Sequence, residues 1–230
     1  MTSSEFLNFL KSICSKPLHV LDATIPKSKY VPLNLSESNP ELQKTNISSS
    51  SEFSKYINAY LKKHNAVVAY GGYNEVRTMY NRSTHFNSET SKNRNIHLGL
   101  DLWCAAETMI YTPLDGEVHS FKNNTNYGDY GPTIILRHII SGVEFYTLYG
   151  HLSLNSIENL KVGQQFKQGD KIATLGTASI NGDYPPHLHF QIIKDVQGYF
   201  GDYPGVCNGQ DLEFYLGNCV DPGGVLGLRS

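Results

Sequence analysis

The sequence predicts an α+β fold, a mainly antiparallel β sandwich or barrel preceded by N-terminal helices. Three observations predict it. Apolar residues recur at helical spacing only in the first 66 residues. From Val67 onward the chain breaks into short β-type runs punctuated by Gly, Pro, Asn and Asp. Those runs follow one another closely, without the amphipathic helices that a parallel α/β sheet places between its strands. With 230 residues, 40% of them hydrophobic, the chain is long enough to bury a real core.

The elements follow in order. Phe6, Phe9, Leu10 and Ile13 make a first helical stripe behind Ser3 and Ser4, both capable of capping. "LSESNPELQKTNISSSS" reads as a polar loop with at most a short helix. Ser49 and Glu52 then form a capping box before the stripe Phe53, Tyr56, Ile57, Tyr60 and Leu61, which predicts a helix over 51–64. Residues 1–66 are thus an N-terminal helical segment, and 67–230 a β domain. Its strand candidates are "MIYTPL", "GEVHSF", "PTIILRHII", "VEFYTLYGHL", "QQFKQGDKIATLG" and "HLHFQII". "LDGEV" and "ISGVE" read as hairpin turns. From about residue 198 the chain is rich in Gly and Pro and is expected to wrap the domain as an irregular tail.

A formal charge of −2 provides no electrostatic footprint for nucleic acid or an anionic membrane, and no run has the length of a membrane span. The first twenty residues lack a basic n-region and a continuous apolar h-region. The expected location is therefore cytoplasmic, the alternative being the cell envelope or secretion by a non-classical route. Cys14, Cys104, Cys207 and Cys219 form no C-x-x-C pair, which excludes the usual structural zinc spacings. They read as free thiols, with a Cys207–Cys219 disulfide as the alternative in an exported protein.

Three polar clusters carry the chemistry. They are His97-Leu-Gly-Leu-Asp101, Tyr149-Gly-His151-Leu152 and "PPHLHFQII". In the last, His187, His189 and Gln191 alternate with Leu188, Phe190 and Ile192, the pattern of a half-buried strand. Two imidazoles then share one face about 6–7 Å apart. Catalytic zinc takes three protein ligands from His and carboxylate and keeps a fourth position for water, whose pKa falls to about 7. Asp101 is the only carboxylate in the clusters. His97, Asp101 and one of His187 and His189 complete a His–Asp–His set, with the remaining imidazoles, His151 included, placed for proton transfer and oxyanion stabilisation.

H-x-G-x-D, then Y-x-H-L, then H-L-H-F, in this order, resemble the M23 family of zinc metallopeptidases of the lysostaphin and LytM type, which hydrolyse peptidoglycan peptides. "TPLDGEV" and "VGQQFKQGDKIATLG" stand where that family has such text, and the resemblance covers about residues 94–193. It implies a LytM-type β core, Zn²⁺ as cofactor, and a peptide or peptidoglycan-like substrate. It makes His97, Asp101 and His189 the zinc ligands and His151 and His187 the catalytic pair. The implied enzyme is a zinc endopeptidase or amidohydrolase.

Three features depart from that pattern. "GTASINGDYPPH" is longer than the usual turn, Gln191 stands where many relatives have Glu, and "YGGYNEVRTMYNRSTHF" lies outside the common core. Together they resemble the divergent M23-like domain found fused between a kinase-like and an aminotransferase domain, which weakens the link to peptidoglycan. The alternatives are an inactive M23-like binding or activator domain, or an intracellular small-amide hydrolase. A biotinyl/lipoyl-type carrier, suggested by "GQQFKQGDKIATLG", lacks a Met-Lys-Met acceptor.

The other candidates have plainer readings. His138 is expected to pack or hydrogen-bond within its strand, and His119 to stand near the cleft or on the surface. His19, His64 and His85 are expected in loops or on the surface. Tyr149 shares a strand face with His151, so its hydroxyl reaches the cleft or packs in the core. Arg77 and Glu75 form an ion pair or contact substrate, and Arg94 orients the first motif or binds a substrate carboxylate. The first motif also poses a geometric problem. Four regular strand steps would part His97 and Asp101 by about 13 Å, too far for one metal, and Gly99 does not suit a helix. A strand bent near Gly99 and facing His189 is expected.

Overall fold

The computed structural model describes residues 1–14, 16–82 and 94–228. Helix α1 (Ser3–Ile13) is capped by Thr2, not by the serines after it. Thr2 Oγ1 accepts from the Glu5 amide at 3.2 Å, and the Thr2 amide donates to the Glu5 carboxylate at 2.7 Å. The two serines already lie in the first turn. Phe6 and Leu10 are buried on its inner face, Phe6 lying edge-on to Phe145 at 5.5 Å. Helix α2 (Ser50–Lys63) starts from Ser49, but Glu52 turns to Lys55 at 2.7 Å instead of completing the capping box. It buries Phe53 and Ile57, and the Phe53 ring lies 5.2 Å from that of Trp103.

The body of the protein is a nine-stranded sheet. Its strands are β1 (Tyr30–Pro32), β2 (Val68–Gly71), β5 (Leu100–Trp103), β7 (Gly116–Asn124), β8 (Gly131–Ile140), β9 (Val143–Gly150), β10 (Gln165–Phe166), β12 (His187–Ile193) and β14 (Cys219–Val220). They run in the order β1-β2-β5-β12-β9-β8-β7-β10, with β14 on β12. Every pairing is antiparallel except β1 with β2. A second sheet joins β3 (Glu75–Val76), β4 (Ile96–His97) and β13 (Val206–Cys207), and a third joins β6 (Met109–Tyr111) to β11 (Lys171–Thr174). The α+β, mainly antiparallel class expected from the sequence is the observed one. Among the described residues, α3 (Asn155–Glu158) and α4 (Leu212–Asn218) are further short α-helices.

Two local expectations need correcting. "ISGVE" does close the β8–β9 hairpin, where Ile140 pairs with Val143. "LDGEV" closes none, because β6 pairs with β11 and β7 with β8. Asp115 spends its carboxylate on the turn before β11, accepting from the Gln168 amide at 2.8 Å and from Lys167 Nζ at 2.9 Å. The Gly/Pro-rich tail is more regular than its composition suggests, since β13, α4 and β14 all lie in it. Sheet pairing supplies there what local propensity does not.

Leu188 and Phe190 of β12 point into the core with Leu100, Leu102, Tyr149 and Val68. They leave His187, His189 and Gln191 on the other face, as the alternation requires.

Candidate metal centre

The floor of the site is a cross-strand patch on β5 and β12, where His189 pairs with Asp101 and His187 with Trp103. His97 reaches the patch because the first motif changes sheets. β4 ends at His97, Leu98 and Gly99 bend, and β5 begins at Leu100. Gly99 is required at the bend. A Cβ there would stand 2.6 Å from both Cε1 and Nε2 of His189 and 3.0 Å from Gln191 Cγ. The bent strand facing His189 is therefore what the chain forms, and its glycine makes room for the ring it faces.

His97, Asp101 and His189 come together as a buried trio whose candidate ligand atoms all fall within 4.8 Å of one another. His97 Nε2 lies 2.8 Å from His189 Nδ1 and 3.3 Å from Asp101 Oδ1, and His189 Nδ1 lies 3.2 Å from Asp101 Oδ1. Ligand atoms about 2.0–2.1 Å from a tetrahedral zinc are about 3.3 Å apart, so the triangle fits such an ion. The outward atoms are all engaged. His97 Nδ1–H donates to the Gly72 carbonyl at 2.8 Å, which leaves Nε2 as the lone-pair nitrogen. His189 Nε2 meets Gln191 Oε1 at 3.0 Å, an acceptor that leaves Nδ1 for a metal. Asp101 Oδ2 accepts from Arg77 Nη1 at 2.6 Å. Burial works to raise the Asp101 carboxyl, but His97, which carries charge only at low pH, and the Arg77 guanidinium hold it well below the usual carboxylate range.

His187 and His151 stand beside the trio. The His187 ring stacks on Trp103 with centroids 3.8 Å apart and lies 4.2 Å from the His151 ring. Its Nε2 is 3.9 Å from Asp101 Oδ1. Each donates its Nδ1–H to a backbone carbonyl, His187 to Pro185 at 2.8 Å and His151 to Asn181 at 2.7 Å. Carbonyls only accept, so Nε2 of each ring is its basic nitrogen. Burial pushes His97 and His187 down to about 4 and His151 well below its ordinary value. All three imidazoles are neutral near pH 7, the state needed in a ligand or in a base. The five residues line one cavity of ≈ 130 Å³, walled by Tyr80, Tyr130, Tyr184 and Tyr203.

Other sequence candidates fall elsewhere. Tyr149 is in the core, where its hydroxyl receives a bond from Thr147 at 3.0 Å. His151 has left the strand with φ +63°, so alternation no longer puts the two on one face. His138 donates to the Asp115 carbonyl and meets Thr147 Oγ1, both at 2.8 Å, far into the sheet. His119 contacts Ser120, Tyr146 and Phe200 and does not line the cavity. His64 ends α2 against Tyr60, His19 is half-buried near Lys27, and His85 lies outside the described residues. Arg94 lines the cavity. All four cysteines carry free thiols, so no Cys207–Cys219 bridge is formed.

Sequence reasoning missed the anchoring roles of Gly72, Arg77 and Gln191. Only Gln191 carried a readable signal, as the next residue on the histidine face of β12. No helix among the described residues is long and apolar enough to cross a membrane.

Fold and site together define a candidate His-Asp-His metal centre on a mainly antiparallel sheet. Residues 95–200 match the model of peptidase family M23. A protein of Haemophilus influenzae described as an uncharacterized metalloprotease is 35% identical over 95 residues. That match takes in 41% of this chain and only 18% of the relative. Among solved structures, a zinc containing peptidase from Vibrio cholerae is 28% identical over 44% of this chain and 28% of its own, with a TM-score of 0.35. The catalytic domain of lysostaphin from Staphylococcus simulans is 26% identical over 53% of this chain and 80% of its own, with a TM-score of 0.36.

Proposed function

We propose that this chain is a zinc-dependent peptidase or amidohydrolase of M23 type, acting on amide bonds of peptidoglycan-like peptides. One observation carries the reading. Three ligand atoms lie 2.8–3.3 Å apart with their outward atoms tied, next to two neutral imidazoles whose Nε2 atoms are basic. The peptidoglycan-like substrate rests on the three-motif resemblance alone.

A zinc ion held by His97 Nε2, Asp101 Oδ1 and His189 Nδ1 would supply Lewis acidity, acidifying water and polarising an amide carbonyl. The chain's own residues perform the proton chemistry. His187, nearest the ligand carboxylate and held by Pro185 and the Trp103 face, takes a proton on Nε2 from the attacking water. Burial that keeps the ring neutral beforehand also makes the imidazolium a strong acid, ready to return the proton to the leaving amine. His151, fixed through Asn181, offers a second basic Nε2, which donates a hydrogen bond to the tetrahedral oxyanion only in the imidazolium form, after it has taken up a proton.

The burial of the site's side chains and the small volume they line favour a second substrate reading. The five residues are 1–5% exposed, and a cavity of ≈ 130 Å³ is small beside the 300–1,000 Å³ of common ligand pockets. A small amide or a short chain end suits it better than a cross-linked polymer.

Metal analysis of the purified protein, followed by incubation with peptidoglycan and with small amides, tests both readings. One zinc per chain and release of muropeptides is the expected result. Zinc with turnover of small amides only selects the second reading, and no zinc or no hydrolysis refutes both. His187→Ala should keep the metal and lose about 10²–10⁴ in turnover, whereas Asp101→Asn should lose both. Near-normal activity in His187→Ala removes its role.

A further inference from the structure

Arg77 is a charge in the interior, with a side chain 2% exposed. Its Nε donates to Glu75 Oε2 at 2.6 Å, and its Nη1 donates to Asp101 Oδ2 at 2.6 Å and to the Tyr80 hydroxyl at 3.3 Å. Two carboxylates therefore hold one guanidinium, and one of them is the ligand carboxylate of the trio. The two Asp101 oxygens face different ways. Oδ1 lies 3.3 Å from His97 Nε2 and 3.2 Å from His189 Nδ1, while Oδ2 is taken by Arg77.

Building on the metal-centre reading above, we propose that Arg77 is a positioning residue that clamps Asp101 through Oδ2, confining it to one-oxygen ligation and keeping a fourth metal position open. A carboxylate free to rotate can chelate a metal through both oxygens and fill the position that water or substrate needs. A charge-assisted bond of 2.6 Å to one oxygen opposes that rotation.

The clamp is itself fixed. Glu75 Oε1 accepts from the Leu35 amide at 2.9 Å, and the Arg77 amide donates to the Asn95 carbonyl at 2.8 Å. Glu75 pairs in register with His97 across β3 and β4. Gly72, at φ +104°, closes over the group: a Cβ there would meet Arg77 Nη2 at 1.9 Å and His97 Nδ1 at 2.9 Å. One stretch, residues 72–77, thus holds the outward atoms of both His97 and Asp101. It lies outside residues 95–200, the part that matches the family model.

Cobalt substitution reads the coordination number directly, without substrate. The full chain loaded with one Co²⁺ should show the intense visible absorption of a tetrahedral site. Arg77→Met should bind Co²⁺ with visible absorption several-fold weaker, as a second carboxylate oxygen raises the coordination number. Arg77→Lys, which still places a cation at Oδ2, should recover the intense band. The double variant Glu75→Gln/Arg77→Met withdraws both charges together and guards against a fold failure caused by an orphaned Glu75. Wild-type intensity in either Met variant overturns the clamp while leaving the metal centre standing. A weak, higher-coordinate spectrum in the wild type overturns it without any variant. Failure of the wild type to bind Co²⁺ overturns the metal-centre reading and the clamp with it.

Discussion

Gly99→Ala tests the site at its narrowest contact. The new Cβ would stand 2.6 Å from Cε1 and Nε2 of His189, where ordinary contact begins at 3.4 Å. Relief requires the ring and the β4–β5 bend to part by about 0.8 Å. The bend has little slack, since the Leu98 amide is bonded to the Gly205 carbonyl at 2.9 Å and Asp101 is paired with Gly71 and His189. Most of the shift therefore falls on His189, whose Nδ1 belongs to the ligand triangle and whose Nε2 bonds Gln191. Metal sites tolerate departures of only about 0.2 Å in ligand distance. We expect an overpacking cost of about 1–3 kcal/mol in stability. Zinc affinity should fall about 10–100-fold, the range associated with a mispositioned ligand. Chelator competition monitored by a zinc dye reads the affinity, and thermal melting of the metal-free protein reads the stability. A Gly99→Ala protein that folds and binds zinc with unchanged affinity would refute the argument that glycine is kept there for the ligand ring.

Two further outcomes follow from hydrogen bonds at the site and away from it. Gln191→Leu deprives His189 Nε2 of its 3.0 Å acceptor and should weaken zinc about 10–100-fold, while Gln191→Glu, which keeps an acceptor, should not; equal affinities in the same competition assay would remove Gln191 from the metal shell. Burial holds His138 down to about 4, so between the ordinary histidine value of 6.5 and about 4 the unfolded chain binds the extra proton, and stability falls as the pH falls through that window. The metal-free protein should therefore melt lower at pH 5 than at pH 7, and His138→Gln should show a shallower pH dependence; an unchanged slope would contradict it.

The parts of the fold written in alternation or helical periodicity were legible before any coordinates. β12 shows this best: Leu188 and Phe190 alternate with His187 and His189, and one pattern sets both the core face and the chemical face. The bend at Gly99 was legible from distance alone, because two ligands of one metal cannot be four regular strand steps apart. What stayed hidden depends on pairings too short to carry a pattern. β3 and β4 are two residues long, yet their register brings Glu75 beside His97 and, with it, Arg77 onto Asp101. Tyr149 was left open between cleft and core for a related reason, since alternation was carried past Gly150 into a residue whose φ is +63°; Tyr149 itself lies in the core. Periodicity reports which face a residue occupies only while the strand lasts.

The centre is built to hold its shape through its outward atoms, and these come from two sources. Gln191 lies within the stretch that matches the M23 family, whereas Gly72 and Arg77 precede it. Three neighbours with no further role at the metal decide which nitrogen of each histidine, and which oxygen of Asp101, turns inward. Desolvation of Asp101 and Arg77 costs several kcal/mol per ion, a cost that their 2.6 Å contact, the Glu75 bond and the surrounding charges offset. Such a pair is weak evidence for stability. It is strong evidence for geometry, because a buried carboxylate with one oxygen committed has few orientations left. The flanking segment thus acts on the centre by restricting it: a matching core of motifs supplies the ligands, and residues 72–77 determine how they present themselves.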